Sequence, residues 1–218
     1  QFLPRFRSGG ILAVNLMKTL ITLMLSLCLN LPVLSSELTL NELTTQLSAP
    51  SELRASFNQE RNLTGFARTL KAEGTLLVSR SHGILWRQST PFAQDVVLDE
   101  RGILVNDGTG LKAMAQNDNP QLQSLAQMLK ALFAGDLSAL EQFFALELSG
   151  TTEQWSLALT PTQEPLSLIF AGIELHGGQF VQEVILKDKG GDSTKISFSA
   201  IDTSAKPLTE AEEKLFVH

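Results

Sequence analysis

Between Gly74 and Trp86 the chain reads Gly74-Thr75-Leu76-Leu77-Val78-Ser79-Arg80, then Ile84-Leu85-Trp86: two adjacent strands with an arginine on an apolar face. Side chains alternate along a strand, so Leu76, Val78 and Arg80 share one side, while Thr75, Leu77, Ser79 and Ser81 take the other. A guanidinium beside leucine and valine must find acceptors, because burying it unpaired is very costly. Two arrangements meet that demand. Either the strand end is already wet at Arg80, or another element covers the face and offers it carbonyls.

The rest of the chain extends this strand pattern around one helical interruption. Leu38, Leu40, Leu43 and Leu47 recur at helical spacing and Pro50 ends the run, a short amphipathic helix. Ala67 to Val78 and Gly83 to Arg87 form a hairpin turned at Ser81-His82-Gly83. Gln94 to Leu98 and Ile103 to Val105 form a second, turned at Asp99-Glu100-Arg101-Gly102. Asn106-Asp107-Gly108 is a further turn, leading to a strand near Leu111 to Ala115. Pro120 then opens a helix with Leu122, Leu125, Met128, Leu129 and Leu132 on one face, stopping at Gly135. Asp136 caps a second helix running through Leu140, Phe143 and Phe144. Beyond Gly150 strands return: Trp155, Leu157, Leu159; Leu166, Leu168, Phe170; Phe180 to Leu186; Ile196, Phe198, Ala200. Leu208 to Phe216 is a closing turn of helix. Many antiparallel strands with one helical insertion predict an α+β domain, a strongly curved sheet or half-barrel with helices on one side.

The folded domain is expected to start after the first 35 residues. Met17-Lys18 opens a charged head, Thr19 to Leu34 is mostly apolar, and Val33-Leu34-Ser35-Ser36 suits signal peptidase. The expectation is a leader over residues 1–16, a signal peptide over 17–35 and a single domain over 36–218. Asn15, Lys18, Asn30 and Pro32 interrupt the apolar run and argue against a membrane anchor. The only cysteine, Cys28, lies inside that run behind Leu27, a poor lipidation site. The mature chain then has no thiol, which fits a bacterial periplasmic protein better than a disulfide-stapled one.

Removing the leader takes away Arg5, Arg7 and Lys18 and no acid. Basic residues fall from 17 to 14 against 23 acids, a net charge of −9. That disfavours binding nucleic acid or anionic headgroups by bulk charge. Of the three histidines, His82, His176 and His218, none has metal-ligand spacing with another. Nucleophile elbows, phosphate loops and zinc or calcium motifs are absent from the sequence. Asp99-Glu100 and Glu212-Glu213 are adjacent carboxylates, read as solvated surface. Asn117-Asp118-Asn119-Pro120 reads as a helix-entry turn, and Trp86 and Trp155 as core. With so little titratable equipment the chain is expected to be no enzyme and to need no cofactor or metal. What remains is apolar lining, and that points to binding.

At this point the residues resemble a known family. Phe57-x-Gln59, the Gly74 to Trp86 strand pair with Arg80 in its middle, Pro91 after it, and Leu98-x-x-x-Gly102 resemble LolA, the periplasmic carrier of outer-membrane lipoproteins. The spacing from Gly74 through Arg80 to Trp86 matches without a gap. The resemblance implies an incomplete antiparallel β-barrel whose concave face is an apolar cavity under an α-helical lid. The family's arginine, carried onto Arg80, hydrogen-bonds lid carbonyls and latches the cavity shut. The helix ends at Leu132 to Gly135 and at Leu47 to Ala49 are its candidate acceptors, since the last carbonyls of a helix lack partners and favour a cation. Leu76, Val78, Ile84 and Trp86 would form the wall, with Leu125, Leu129, Leu132 and Phe133 on the lid.

The implied function is a monomeric periplasmic carrier. It would take acyl chains of a lipoprotein or lipid from an inner-membrane donor complex towards an outer-membrane acceptor. Two features depart from the family pattern. Ser81 stands where proline is usual, and the sequence stops at Phe216-Val217-His218 where the family continues into a tail used with its partners. Two alternatives follow: a non-catalytic periplasmic interaction module on the same scaffold, or an accessory of a dedicated lipid export system.

Overall fold

A computed structural model describes residues 37–114 and 120–216, and for residues 120–125 and 129 the backbone only. The expected leader, signal segment, Cys28 and Asn117-to-Asn119 turn therefore lie outside the described residues, as do the side chains of Leu122, Leu125 and Leu129.

The chain begins with α1 (Leu40–Ser48). Thr39 and Glu42 close a reciprocal capping box at its start, and Leu38 before the cap joins Leu43 in one core cluster, a hydrophobic staple. Six strands follow: β1 (Glu52–Asn62), β2 (Leu70–Ser79), β3 (Gly83–Thr90), β4 (Gln94–Asp99), β5 (Gly102–Asn106) and β6 (Leu111–Ala113). Then come α2 (Pro120–Ala134), α3 (Leu137–Leu140), β7 (Phe144–Gly150), β8 (Trp155–Pro161) and α4 (Leu166–Ile169). β9 (Phe170–Gly177), β10 (Val181–Asp188), β11 (Ser193–Asp202) and α5 (Glu210–Phe216) complete the fold.

The eleven strands make one antiparallel sheet in the order β6-β5-β4-β3-β2-β1-β11-β10-β9-β8-β7. First and last strands pair at its middle, and β6 and β7 are its two edges. The connection from β6 to β7 must therefore cross the whole sheet. α2 makes that crossing on one face: Met128, Ala131 and Leu132 join the cluster of Leu157, Leu175 and Val184, while Ala126 and Phe133 join that of Leu76, Ile84 and Leu98. One helix can touch both flanks only because the sheet curves around it, as the right-handed twist of strands allows. The result is the expected α+β half-barrel with α1 to α4 on its concave side; against the expectation of helices on one side only, α5 lies on the other.

The opposite, convex face has an apolar patch where α5 covers it. Leu208, Leu215 and Phe216 pack on Leu77, Leu85, Val97 and Leu104. This is why β4 and β5 are apolar on both faces. α5 is held by Arg54 of β1, whose Nη1 and Nη2 donate to Glu212 at 2.6 and 3.2 Å. Glu212 also accepts from the Thr209 amide at 2.8 Å, while the Glu212 amide donates to the Thr209 hydroxyl, a second capping box. Arg101 pairs with Asp99 and donates to the Leu215 carbonyl at the other end of the helix.

Four local expectations are corrected. Asp99 and Glu212, read as solvated, are buried at 9 % and 8 % exposure because each has a bound arginine. The helix capped by Asp136 ends at Leu140, and Phe144 starts β7, where Phe144, Leu146 and Leu148 alternate inward. Leu166 to Ile169 forms one helical turn rather than a strand, turning Leu168 outward. The strand after Asn106 ends at Ala113.

Candidate functional site

A cavity of about 470 Å³ lies on the concave face, at the end of the sheet where β2 turns into β3. Its wall is β-sheet: Leu53, Ala55, Leu76, Val78, Ile84, Leu98, Val184 and Phe198 among others. Its roof is the ends of two helices, Leu47 of α1 with Pro50 just beyond it, and Leu132, Phe133 and Ala134 of α2. Arg80, Ser81, His82, Glu100 and Lys130, all exposed, rim the mouth.

Gly135 lets the two helix ends meet. Its φ of +68° is the left-handed conformation that closes a helix, and a Cβ there would sit 2.8 Å from the Leu47 backbone. Its amide donates to the Leu132 carbonyl and the Asp136 amide to that of Ala131. This double bond pattern is a Schellman motif, so α2 consumes two of its own terminal carbonyls. Asp136 meanwhile accepts from the Ala139 amide and starts α3.

Arg80 bonds on the α1 side instead. Its Nε donates to the Pro50 carbonyl at 3.0 Å, and its amide to that of Ser51 at 3.0 Å. The acceptor lies one residue past the expected Leu47 to Ala49 site, in the link from α1 to β1. At Leu132 to Gly135, the alternative site, the Leu132 carbonyl is already bonded within the chain. Arg80 itself is exposed at the mouth. Ser81, the departure from the family pattern, makes a small polar cluster with its neighbours: Ser79 and Ser81 hydroxyls lie 3.1 and 2.9 Å from His82 Nδ1. The His82 ring sits 5.7 Å from Phe216 of α5, linking the mouth to the convex face.

Of the expected wall, Leu76, Val78 and Ile84 line the cavity; Trp86 shares their face but lies outside the lining. Trp86 stacks on Phe57 at 3.7 Å and meets Phe198 edge-on at 6.3 Å. Gly74 makes room for that stack: a Cβ there would lie 2.7 Å from the Phe57 ring and overlap the Arg87 carbonyl. Of the expected lid residues, Leu132 and Phe133 line the cavity, and the side chains of Leu125 and Leu129 are not described. Leu53, Ala55, Val184 and Phe198 were missed as lining. Leu53 and Ala55 stand opposite Val78 and Leu76 in the adjacent strand, whereas Val184 and Phe198 reach the same wall only through the long-range β1–β11 pairing.

The comparisons bear on family. The model of the family described as outer membrane lipoprotein carrier protein LolA matches residues 49–211. No curated protein matches the chain by sequence. A LolA superfamily protein from Nitrosomonas europaea superposes with a TM-score of 0.45 at 10% identity, over 82% of this chain and 96% of its own. A chain of the Pseudomonas aeruginosa MucA/MucB complex gives 0.46 at 22%, over 81% of this chain, which spans 58% of that one. An outer membrane lipoprotein-sorting protein domain from Vibrio parahaemolyticus gives 0.46 at 8%, over 80% and 95%. With the family match running from the α1–β1 link into α5, the chain belongs to the LolA family of outer membrane lipoprotein carrier proteins.

Proposed function

We propose that this protein is a periplasmic carrier that binds an acyl chain of a lipoprotein or lipid in the concave-face cavity and moves it from the inner towards the outer membrane. The observation carrying the reading is the cavity itself: an apolar hollow walled by the sheet, roofed by two helix ends and rimmed by polar groups. Its 470 Å³ falls within the range of about 300–1,000 Å³ usual for small-molecule pockets. At roughly 30 Å³ per methylene-sized group, taken from the volume share of a water molecule, it has room for on the order of fifteen carbons. That is one acyl chain. A triacylated cargo would have to open the roof.

Among the described residues no helix is long and apolar enough to cross a membrane. The proposed compartment rests on the family and on the signal-like segment over residues 17–35.

A carrier must hold its cargo and also release it. Burying a methylene is worth about 0.8 kcal/mol, so one full chain is worth on the order of ten. The Arg80 bond to Pro50 ties the β2–β3 turn to the strand entry beneath α1. Opening the roof breaks that tie and exposes the apolar wall, which an acyl chain then covers. Closure and cargo thus compete, and this lowers the net cost of release. In this reading Arg80 is the latch, acting through the α1–β1 link.

Titrating the purified mature protein with a fluorescent fatty acid tests the proposal. Saturable binding at one chain per protein is the expected result. Absence of saturable binding overturns it and leaves an interaction module on this scaffold.

A further inference from the structure

The strand register shows where the hollow stops. Leu53, Val78, Ile84 and Leu98 stand side by side across β1 to β4, and all four line the cavity. One step deeper on the same face lies the row Ala55, Leu76, Trp86 and Val96, of which only the first two line it. The step after that holds Phe57, with Gly74 opposite it on β2 and Phe198 opposite it on β11. Phe198 lines the cavity, whereas Phe57 and Trp86 stand beyond its lining. At roughly 3.4 Å per residue, Gly74 lies about 20 Å along β2 from Arg80 at the mouth.

A glycine lets these rings form a bar. Phe57 is on β1 and Trp86 on β3, strands about 9.5 Å apart with β2 between them. Because Gly74 has no side chain, the Phe57 ring lies across β2, 2.7 Å from where a Cβ would be, and stacks on Trp86 at 3.7 Å. Phe198 meets Trp86 edge-on at 6.3 Å. Three rings from β11, β1 and β3 therefore cross the concave face where the apolar lining ends. Phe57 is almost wholly buried. Stacked and edge-on rings gain from one another beyond the area they bury, and a close-packed interior does not part for a methyl group.

We infer that the Phe57, Trp86 and Phe198 stack is the end stop of the cavity and sets the longest acyl chain it takes, with Trp86 as a specificity-determining residue. The inference rests on the carrier reading and narrows its ligand class. The ligand is one unbranched chain of on the order of fifteen carbons, its polar head at the mouth and its methyl end against Trp86.

The test measures the affinity of the mature protein for saturated fatty acids of about ten to about twenty carbons. Each added methylene should strengthen binding roughly fourfold until the chain meets the stack, after which affinity should level off. Trp86→Ala should move that plateau to longer chains, raising affinity for the longest acids relative to the shortest at least about tenfold. Trp155→Phe, whose indole N–H donates to the Gly178 carbonyl at 2.6 Å on the other flank of the sheet, should leave the plateau in place. A second readout keeps Trp86 intact. The sequence has 2 tryptophans, so the Trp155→Phe protein fluoresces from Trp86 alone. A fatty acid brominated at its methyl end should quench that emission more strongly than one brominated beside its carboxylate. Affinity that climbs without a plateau, a plateau at the same length in Trp86→Ala, or stronger quenching from the carboxylate end overturns the inference and leaves the carrier reading intact. Absence of saturable binding at every length overturns both.

Discussion

Replacing Glu212 by glutamine isolates what fastens α5 to the sheet. Burial pushes the Glu212 carboxyl up, but the Arg54 guanidinium and the Thr209 amide and hydroxyl outweigh it and hold the group at about 2, against an ordinary 4.5. At roughly 1.4 kcal/mol per pH unit, that gap corresponds to about 3 kcal/mol of folding stability. The folded-state value lies below the unfolded one. The contribution is therefore complete above about pH 4.5 and is lost as pH falls towards 2. Glutamine keeps an acceptor for the Thr209 amide but removes the charge, leaving Arg54, whose Nε is already buried without a partner, unbalanced. Urea unfolding followed by tryptophan fluorescence should show the variant about 2–3 kcal/mol less stable at pH 7, the difference shrinking towards zero near pH 2. A variant as stable as wild type at pH 7, or a deficit constant across that pH range, would refute the assignment.

Three further outcomes follow from the site. Arg80→Leu removes the bond to Pro50 and should slow release of a bound fatty acid to acceptor vesicles severalfold; release at the wild-type rate in a stopped-flow assay counts against the latch. Gly135→Ala must place a Cβ against the Leu47 backbone at positive φ, and should lower stability by about 2 kcal/mol in thermal unfolding, with an unchanged melting point contradicting the close approach of the helix ends. Val78→Trp puts an indole into the hollow and should weaken fatty-acid binding at least about tenfold while circular dichroism stays that of the fold; undiminished binding would place the ligand elsewhere.

The half-barrel was legible because its strands alternate and its insertion does not. Leu76, Val78 and Ile84 follow from period two alone, and the stop at Gly135 from the turn it permits. Arg80 was legible as an anomaly, since a cation on an apolar stripe demands an explanation. Its acceptor was not, because the Pro50 carbonyl belongs to the link after α1 rather than to a helix end. The β7 strand was hidden by the helical turn just before it, although Phe144, Leu146 and Leu148 alternate plainly. Glu212 was misread as a surface acid because its partner Arg54 lies 158 residues away, yet Thr209-x-x-Glu212 was a capping-box signal in the open. Trp86 shares a face with Leu76 and Ile84 by alternation, but only the fold shows that it lies outside the cavity and that Gly74 makes room for Phe57 to engage it.

The carrier account turns on where a hydrocarbon chain sits. Photo-crosslinking a diazirine fatty acid to the purified protein, with adducts mapped by peptide mass spectrometry, addresses this directly. Adducts should fall on β2 and β3 between Leu76 and Ile84 and on α2 at Leu132 and Phe133, and unlabelled fatty acid should compete them away. Labelling confined to the exposed β1–β2 and β3–β4 loops at Phe66 and Phe92, or none that competes, would contradict it.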